Sequence, residues 1–344
     1  MRNPIPSFRL LALTAAVLTV MLPSAYPARN REEIRIRDPF VYPHIPTQTY
    51  YIYASMPVTR LDGSETRGVG AYTSQDLKTW SGPEPVYSFS KDIWANNQIW
   101  APEMHPYQGK FYLFAAFSST EELPAPPKRP TNIMRQMQIL VGDSPAGPFR
   151  PFRNDRGHTP EDWMSLDGTF WEEDGLPYMI FCHEWRQITD GSIDLMPLKQ
   201  DLSDRAGEPE TLFYASQAPW IRSIDEVGVY DHHGWVSNGP FLYRTTGGKL
   251  LMIWSSYGDQ LYAIAIARSN SGSVHGPWAQ QEDLLFPNNG GHGMIFRSFG
   301  GKLILTFHQP NSSELERAQF YTLEDTGDTL ILGERIPFNR GIDE

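Results

Sequence analysis

The feature that most constrains the fold is a strand-like segment that occurs five times along the chain. Each copy follows a turn or polar residue and then alternates aromatic and aliphatic side chains, a pattern typical of a buried β-strand. The copies are YYIYASM from Tyr50, FYLFAAF from Phe111, YMIFCHEW from Tyr178, KLLMIWSSY from Lys249 and KLILTFHQP from Lys302. Their starts are 61, 67, 71 and 53 residues apart. A repeat of this length predicts β units that pack against one another.

Five such units, none able to bury both faces alone, predict an all-β, five-bladed β-propeller in which neighbouring blades share a core. The 29 prolines and 28 glycines interrupt the chain too often for an α/β fold. A β-sandwich with long loops is the alternative, because sandwiches also have regularly spaced strands. A sandwich would not explain the repeated aromatic strand, so we predict that residues 29–344 form a single propeller domain.

The first 28 residues differ from the rest of the chain. Arg2 and Arg9 precede an apolar run of 13 residues, 10–22, and small residues follow it. This pattern predicts a secretory signal peptide over residues 1–28. An uncleaved membrane anchor is the alternative, but a spanning helix needs roughly 20 apolar residues. We therefore expect a secreted or periplasmic protein that is not attached to a membrane after cleavage.

Composition limits the partners of the protein. Cys182 is the single cysteine, so no disulfide can form within the chain and stability must come from packing. The formal net charge of −11 argues against nucleic acid or an anionic membrane as a partner. We expect a monomer that acts on a neutral or cationic substrate.

A second set of motifs carries polar residues ahead of the repeated strands. In most of these motifs a polar or charged residue is followed by glycine or proline and a large apolar residue. The five motifs are RDPF from Arg37, WAPEMH from Trp100, LDGTFW from Leu166, WVSNGPFL from Trp235 and GGHGM from Gly290. Because the innermost strands of a propeller converge on its axis, we expect these side chains to line one pocket.

Together, in this order and at blade spacing, these motifs resemble glycoside hydrolase family 43. The family includes arabinofuranosidases, xylosidases, arabinanases and enzymes that cleave galactan or galactofuranose, and the resemblance covers residues 35–309. It implies a five-bladed propeller enzyme that hydrolyses arabinofuranosyl, xylosyl or galactosyl linkages in plant or microbial polysaccharide with inversion. No cofactor is required, although a calcium ion in the central channel is implied for some members.

The resemblance also implies roles for individual residues. Asp38 matches the general base that activates water, and Asp167 matches a third acid that tunes the pKa of the proton donor. His292 matches a histidine that lines the central channel and in many relatives helps to hold calcium or water. Trp100 and Glu103 resemble residues that line the pocket and bind substrate.

The family places its general acid immediately before Gly-Pro in blade four, where this chain has Asn238. Glycoside cleavage by inversion needs one protonated carboxyl group and one carboxylate. An amide donates hydrogen bonds but gives up no proton near neutral pH. Three explanations stay open: Glu184 supplies the proton, the protein is a non-catalytic carbohydrate-binding propeller, or an amide has replaced the acid in an otherwise intact site.

Two residues that follow Glu184 are further candidates for substrate contact. Trp185 can stack on a sugar ring, and Arg186 can bind a hydroxyl or a uronate carboxylate. A core position for Trp185 and an ion pair for Arg186 are the structural alternatives. A propeller that serves as a protein-interaction scaffold would need a large apolar patch at its rim, and the sequence has no clear sign of one.

Overall fold

The computed structural model describes residues 27–60, 62–124 and 132–343. Residues 1–26 of the predicted signal peptide lie outside the described part of the chain. Within those ranges, 21 strands form five separate antiparallel sheets. None of the described helices is long and apolar enough to span a membrane. The prediction of an all-β, five-bladed propeller is confirmed.

Each blade is contiguous in sequence. Blade one consists of β1 (Arg29–Asn30), β2 (Phe40–His44), β3 (Thr49–Thr59), β4 (Glu65–Ser74) and β5 (Thr79–Ser88). Blade two consists of β6 (Ile99–Tyr107), β7 (Lys110–Leu123), β8 (Asn132–Gly142) and β9 (Arg150–Pro151). Blade three consists of β10 (Ser165–Glu173), β11 (Leu176–His183), β12 (Ser192–Pro197) and β13 (Glu210–Tyr214).

Blade four consists of β14 (Asn238–Arg244), β15 (Leu250–Gly258), β16 (Leu261–Ser269) and β17 (Trp278–Phe286). Blade five consists of β18 (Gly291–Arg297), β19 (Leu303–Gln309), β20 (Arg317–Asp325) and β21 (Leu330–Arg335). The described helical segments are one α-helical turn, α1 (Trp185–Ile188), and three 3-10 turns, Arg31–Glu33, Ile45–Thr47 and Ala215–Gln217.

The innermost strands are those that carry the polar motifs. Strands β2, β6, β10, β14 and β18 each contact the next around a ring, and β18 contacts β2 to close it. The repeated aromatic segments form the second strands β3, β7, β11, β15 and β19. The central residues of these second strands, such as Trp254 in β15, are fully buried, because both faces pack against other blades or strands.

The last blade and the first belong to separate sheets, and side-chain contacts join them. Arg31 is buried, lies 4.1 Å above the ring of Phe320 and donates a 2.9 Å hydrogen bond to the carbonyl oxygen of Ile336. The rings of Tyr50 and Phe299 stack at 4.0 Å, and the Phe299 amide donates to the Tyr50 hydroxyl. The ring is therefore closed by a cation–π contact and aromatic stacking.

An irregularity recurs at the same point of the innermost strands. The register with the second strand shifts between Trp100 and Glu103, Leu166 and Thr169, Asn238 and Phe241, and Gly291 and Met294. One residue in each bulge has a left-handed backbone, with φ of 43° at Ala101, 56° at Asp167, 54° at Gly239 and 54° at His292. Asp38, just ahead of β2, has φ of 51°. Such bulges redirect side chains, and here they do so at one level of the ring.

Candidate active site

Three predicted site residues of blades one, three and five, each with a left-handed backbone, lie together where the innermost strands meet. Nδ1 of His292 lies 3.2 Å from Oδ1 of Asp38 and 3.5 Å from Oδ2 of Asp167. One imidazole therefore bridges the two carboxyl groups. All three side chains are largely buried, so their charges interact strongly.

Blades two and four do not follow this arrangement. Their left-handed positions are Ala101 and Gly239, so Glu103 lies two residues beyond the bulge position and Asn238 lies one residue before it. The Glu103 carboxylate contacts Nε2 of His105 at 3.0 Å, and Glu103 is not among the residues that line the pocket. The expectation that the side chains of all five motifs line one pocket is therefore wrong for Glu103, whereas Asn238 does line the pocket. The predicted contact of Glu103 with substrate is not supported by this position.

A pocket of about 280 Å³ opens over the three central residues. Every predicted site residue except Glu103 lines this pocket, namely Asp38, Trp100, Asp167, Glu184, Trp185, Arg186, Asn238 and His292. Eight further residues complete the wall: Arg37, Arg135, Leu166, Tyr230, Val236, Tyr257, Tyr262 and Asn311. A small, concave, mixed polar and aromatic pocket of this kind suits a small polar ligand or one end of a larger one.

Asp38 is held in its ionised form. Burial opposes ionisation, but the neighbouring charges of His292 and Arg37 and the hydrogen bond with His308 outweigh burial and lower the pKa of Asp38 below its ordinary value. His308 Nδ1 lies 3.1 Å from Asp38 Oδ1, and Arg37 Nε lies 3.7 Å from Asp38 Oδ2. A carboxylate fixed in this way can accept a proton from water.

Asp167 has the opposite character. Burial is the largest cause that raises the pKa of Asp167, and with the negative charge of Asp38 it brings that pKa to about 7, although His292 opposes the shift. The pKa of His292 is itself raised, because the attraction of Asp38 and Asp167 outweighs burial. Two carboxyl groups on either side of one imidazole therefore differ in proton affinity, as acid–base sites require.

The contacts of His292 bear on the implied calcium ion. Its Nδ1 faces two carboxylate oxygens, and its raised pKa favours the positively charged ring. Calcium prefers oxygen ligands and is repelled by an imidazolium. Within the described ranges, no group of three or more His, Cys, Asp or Glu side chains is arranged to hold a metal ion. The predicted role of His292 as a metal ligand does not fit these residues.

Asn238 lies at the edge of the same cluster. Its side-chain Nδ2 donates a 3.0 Å hydrogen bond to the hydroxyl of Tyr262, and the amide of the next residue, Gly239, donates a 3.1 Å bond to Oδ2 of Asp167. A Cβ on Gly239 would lie 2.8 Å from Cγ of His292, so only glycine fits at this left-handed position. The Asn238 side chain is therefore bound to Tyr262 and lines the same pocket as Asp38 and Asp167.

Glu184 follows the second strand of blade three and directly precedes α1, so it does not lie on the innermost strand that carries Asp167. Its carboxylate forms a short, buried ion pair with Arg135, whose guanidinium also lies 3.7 Å over the ring of Trp100. To donate a proton, Glu184 would first have to be protonated and neutral. Arg135 would then be a buried positive charge without its counter-charge. This position favours a structural role.

We expect Glu184→Gln to lower the free energy of unfolding by about 3 kcal/mol, because Arg135 would remain buried without its counter-charge. Denaturant unfolding followed by tryptophan fluorescence measures this loss. Glu208→Gln is the matched control, since the Glu208 carboxylate contacts Arg205 at 3.8 Å on the surface and should change stability by less than about 1 kcal/mol. If Glu184→Gln kept full stability and lost turnover only of substrates with poor leaving groups, Glu184 would be the proton donor.

Several pocket residues had no signal in the sequence. Tyr257 and Tyr262 flank the tight turn between β15 and β16. Arg135 comes from β8, a mostly apolar strand whose sequence pattern predicts burial and gives no sign of a pocket residue. Arg37 stands in the RDPF motif, but nothing in the sequence indicates that it contacts both Asp38 and Glu316. Contacts between blades bring these residues to the pocket, and no spacing along the chain predicts them.

Comparison with known proteins agrees with the fold. The profile of glycosyl hydrolases family 43 matches residues 33–327. A solved endo-arabinase from Bacteroides thetaiotaomicron is 36% identical, covers 87% of this chain and 98% of its own, and superposes with a TM-score of 0.75. The match therefore extends over almost the whole propeller.

Two arabinofuranosidases are more distant relatives. The α-L-arabinofuranosidase 43 of Humicola insolens is 25% identical over 295 residues, which are 81% of this chain and 54% of that enzyme. The extracellular exo-α-(1→5)-L-arabinofuranosidase of Streptomyces chartreusis is 25% identical over 301 residues, which are 83% of each chain. This chain thus spans about half the length of the first relative and most of the second.

Proposed function

Because the chain belongs to glycosyl hydrolases family 43, we propose that its pocket binds the arabinofuranosyl end of a carbohydrate and hydrolyses the glycosidic bond with inversion. The arabinofuranosyl group is favoured over xylosyl and galactosyl because both named relatives are arabinofuranosidases and the 36%-identical structure is an endo-arabinase. The single observation that carries the proposal is the Asp38–His292–Asp167 cluster at the base of the pocket.

In the proposed reaction, Asp38 takes a proton from the water that attacks the anomeric carbon. Its lowered pKa keeps it ionised for this task. Asp167, whose pKa of about 7 leaves it partly protonated near neutral pH, is suited to hydrogen bond with a sugar hydroxyl. With an amide at position 238, the leaving oxygen receives a hydrogen bond but no proton. Bond cleavage therefore depends on how well the leaving group departs as an anion.

Three side chains in the wall are suited to hold the sugar. Trp100 and Trp185 line the pocket, and aromatic rings of this kind pack on the apolar side of a sugar ring. Trp185 is also buried against Ile224 and Val236, so its structural alternative, a core position, applies as well. In the part of the chain that the structure describes, Nε of Arg186 is buried without a hydrogen-bond partner. A buried donor of this kind gains most from a hydroxyl oxygen of a ligand. These contacts support the predicted substrate-binding roles of Trp100, Trp185 and Arg186.

Turnover of a panel of 4-nitrophenyl glycosides by the purified protein tests the proposal. We expect the α-L-arabinofuranoside to have the highest kcat/KM among arabinofuranosides, xylosides, galactofuranosides and galactopyranosides. Nuclear magnetic resonance spectra of the first sugar released should have the anomeric signal of the inverted product. Preference for another sugar would reject the arabinofuranosyl assignment, and a retained configuration would reject the role of Asp38 as a base.

Asn238 favours a second candidate, a carbohydrate-binding propeller without catalysis. Under this alternative, the protein binds arabino-oligosaccharides but cleaves neither them nor an activated aryl arabinofuranoside. Calorimetric titration with arabino-oligosaccharides, run beside the aryl glycoside assay, separates the two functions, because only the enzyme releases nitrophenol.

We also propose that the protein is exported. The basic and apolar pattern of residues 1–28 supports this location, and so does the relative from Streptomyces chartreusis, which is named as extracellular. A neutral carbohydrate polymer outside the cell fits the acidic character of the chain.

A further inference from the structure

We propose that Asn238 is a self-modification site at which the Asn238–Gly239 pair deamidates, so that the protein makes the missing carboxyl group of its own pocket. This inference rests on the proposed function, because the product is the proton donor that glycoside cleavage needs. Asparagine followed by glycine is the pair in which this reaction meets least hindrance, since glycine has no Cβ beside the attacking nitrogen.

The attacking atom is the backbone nitrogen of Gly239. In a regular strand its N–H would be bound to a carbonyl oxygen of the neighbouring strand, but the bulge between Asn238 and Phe241 removes Gly239 from the ladder. Its N–H donates instead to Oδ2 of Asp167 at 3.1 Å. A buried carboxylate is thus placed to accept the proton of the attacking nitrogen, as a general base does.

The reaction balances without any co-reactant except water. The Gly239 nitrogen loses its proton to Asp167 and forms a bond to Cγ of Asn238, and the bond from Cγ to Nδ2 breaks. The departing nitrogen receives a proton and leaves as ammonia, which produces a cyclic imide. Water then opens the bond between Cγ and the Gly239 nitrogen, which regains its proton, and aspartate stands at position 238. Opening at the other carbonyl would give isoaspartate and a lengthened backbone.

The surroundings suit both the leaving group and the product. Nδ2 of Asn238 donates to the hydroxyl of Tyr262 at 3.0 Å, which holds the departing nitrogen against a polar group. Burial raises the pKa of Tyr262 far above its ordinary value, so its hydroxyl stays protonated. An aspartate has the same shape as asparagine, and the neighbouring carboxyl groups of Asp38 and Asp167 would favour its protonated form. The product is therefore a suitable proton donor.

The chain has one internal control. Its only other Asn-Gly pair is Asn289–Gly290, at the start of blade five. There the Gly290 amide donates to the backbone carbonyl oxygen of Tyr262 at 3.0 Å, and a carbonyl oxygen is not a base of useful strength. The two sites therefore share their sequence and differ in what faces the attacking nitrogen.

The test follows both sites in one sample of the full-length mature protein. The folded protein is incubated at mildly alkaline pH, digested under acidic conditions and mapped by mass spectrometry, which separates asparagine, aspartate and isoaspartate at each position. We expect aspartate at position 238 to form on the order of 10²-fold faster than at position 289, the effect of a positioned general base. In concentrated urea the two rates should converge.

Asp167→Asn removes the base and keeps the shape of the side chain. We expect its rate of conversion at position 238 to fall to the rate at position 289. Equal rates at the two sites in the folded native protein would overturn the inference without any variant, so a folding defect in Asp167→Asn would not leave it undecided. Conversion that continues unchanged in folded Asp167→Asn would also overturn the assigned chemistry.

The mass measurement separates this inference from the proposed function. If Asn238 converts but the converted protein cleaves no arabinofuranoside, the modification site stands and the proposed activity fails. If the encoded variant Asn238→Asp cleaves arabino-oligosaccharides while native Asn238 stays an amide, the activity stands and self-modification fails. In the expected case, turnover of arabino-oligosaccharides grows in proportion to the fraction of aspartate at position 238.

Discussion

Replacing Asn238 with aspartate is expected to raise kcat/KM for arabino-oligosaccharides by roughly 10²- to 10⁴-fold, the usual contribution of a positioned general acid. The sugar hydroxyl that leaves from such a substrate is a poor anion, so it departs only when protonated. The aspartate carboxyl would lie within reach of Tyr262 and beside two other carboxyl groups, which together favour its protonated form.

An aryl arabinofuranoside with a nitrophenolate leaving group provides the internal comparison. Nitrophenolate departs without a proton, so Asn238→Asp should change its turnover far less than the turnover of oligosaccharides. Asn289→Asp, which makes the same substitution at the other Asn-Gly pair, is the matched control and should alter neither rate. Residue 238 should be verified as an amide by mass in the native sample immediately before each assay.

An equal gain for both classes of substrate would contradict the assignment, because it would mean that the carboxylate improves binding or water activation. No gain for either class would mean that the proton comes from elsewhere or that the pocket does not catalyse hydrolysis.

Asp38→Asn is expected to lower kcat/KM by roughly 10²- to 10⁴-fold for oligosaccharides and aryl glycosides alike, since every substrate needs activated water. The ionised state of Asp38 depends on three neighbours, His292, Arg37 and His308, and an amide in its place cannot accept a proton. The loss should therefore be independent of the leaving group, in contrast to the effect at position 238.

Azide provides a second readout for the same variant. As a small anion it needs no base, so added azide should restore turnover of the aryl arabinofuranoside by Asp38→Asn and give a glycosyl azide of inverted configuration. Asp283→Asn, which removes an exposed acid of blade four, is the control and should retain native kinetics. A glycosyl azide of retained configuration would identify Asp38 as something other than the base.

The architecture was predictable from sequence because it depends on repeated local patterns. Buried second strands need aromatic and aliphatic side chains on both faces, and five segments between Tyr50 and Gln309 have this composition. The motifs around Asp38, Asp167 and His292 also predict that these three side chains line one pocket, and in the structure they do. The role of each residue in catalysis stays a prediction for the kinetic experiments.

The positions of Glu103 and Glu184 were not predictable in the same way. The WAPEMH motif predicts that Glu103 lines the pocket, but the bulge of blade two centres on Ala101 and leaves Glu103 against His105. Glu184 is a candidate proton donor in the sequence, yet in the structure it pairs with Arg135 from blade two. For Glu184 the partner comes from another blade, a contact that sequence distance does not report. For Glu103 the partner is only two residues away, and the position of the bulge decides that the carboxylate contacts His105 and not the pocket.

The sequence by itself determined the five-bladed all-β fold and its family, because strand periodicity and turn residues act locally and repeat along the chain. It also determined that an amide stands where the family's acid is expected. Only the tertiary structure decided which groups surround that amide. Left-handed backbone positions in three blades direct Asp38, Asp167 and His292 to one point. The Gly239 N–H meets Asp167 there because the innermost strands of neighbouring blades pack side by side around the ring.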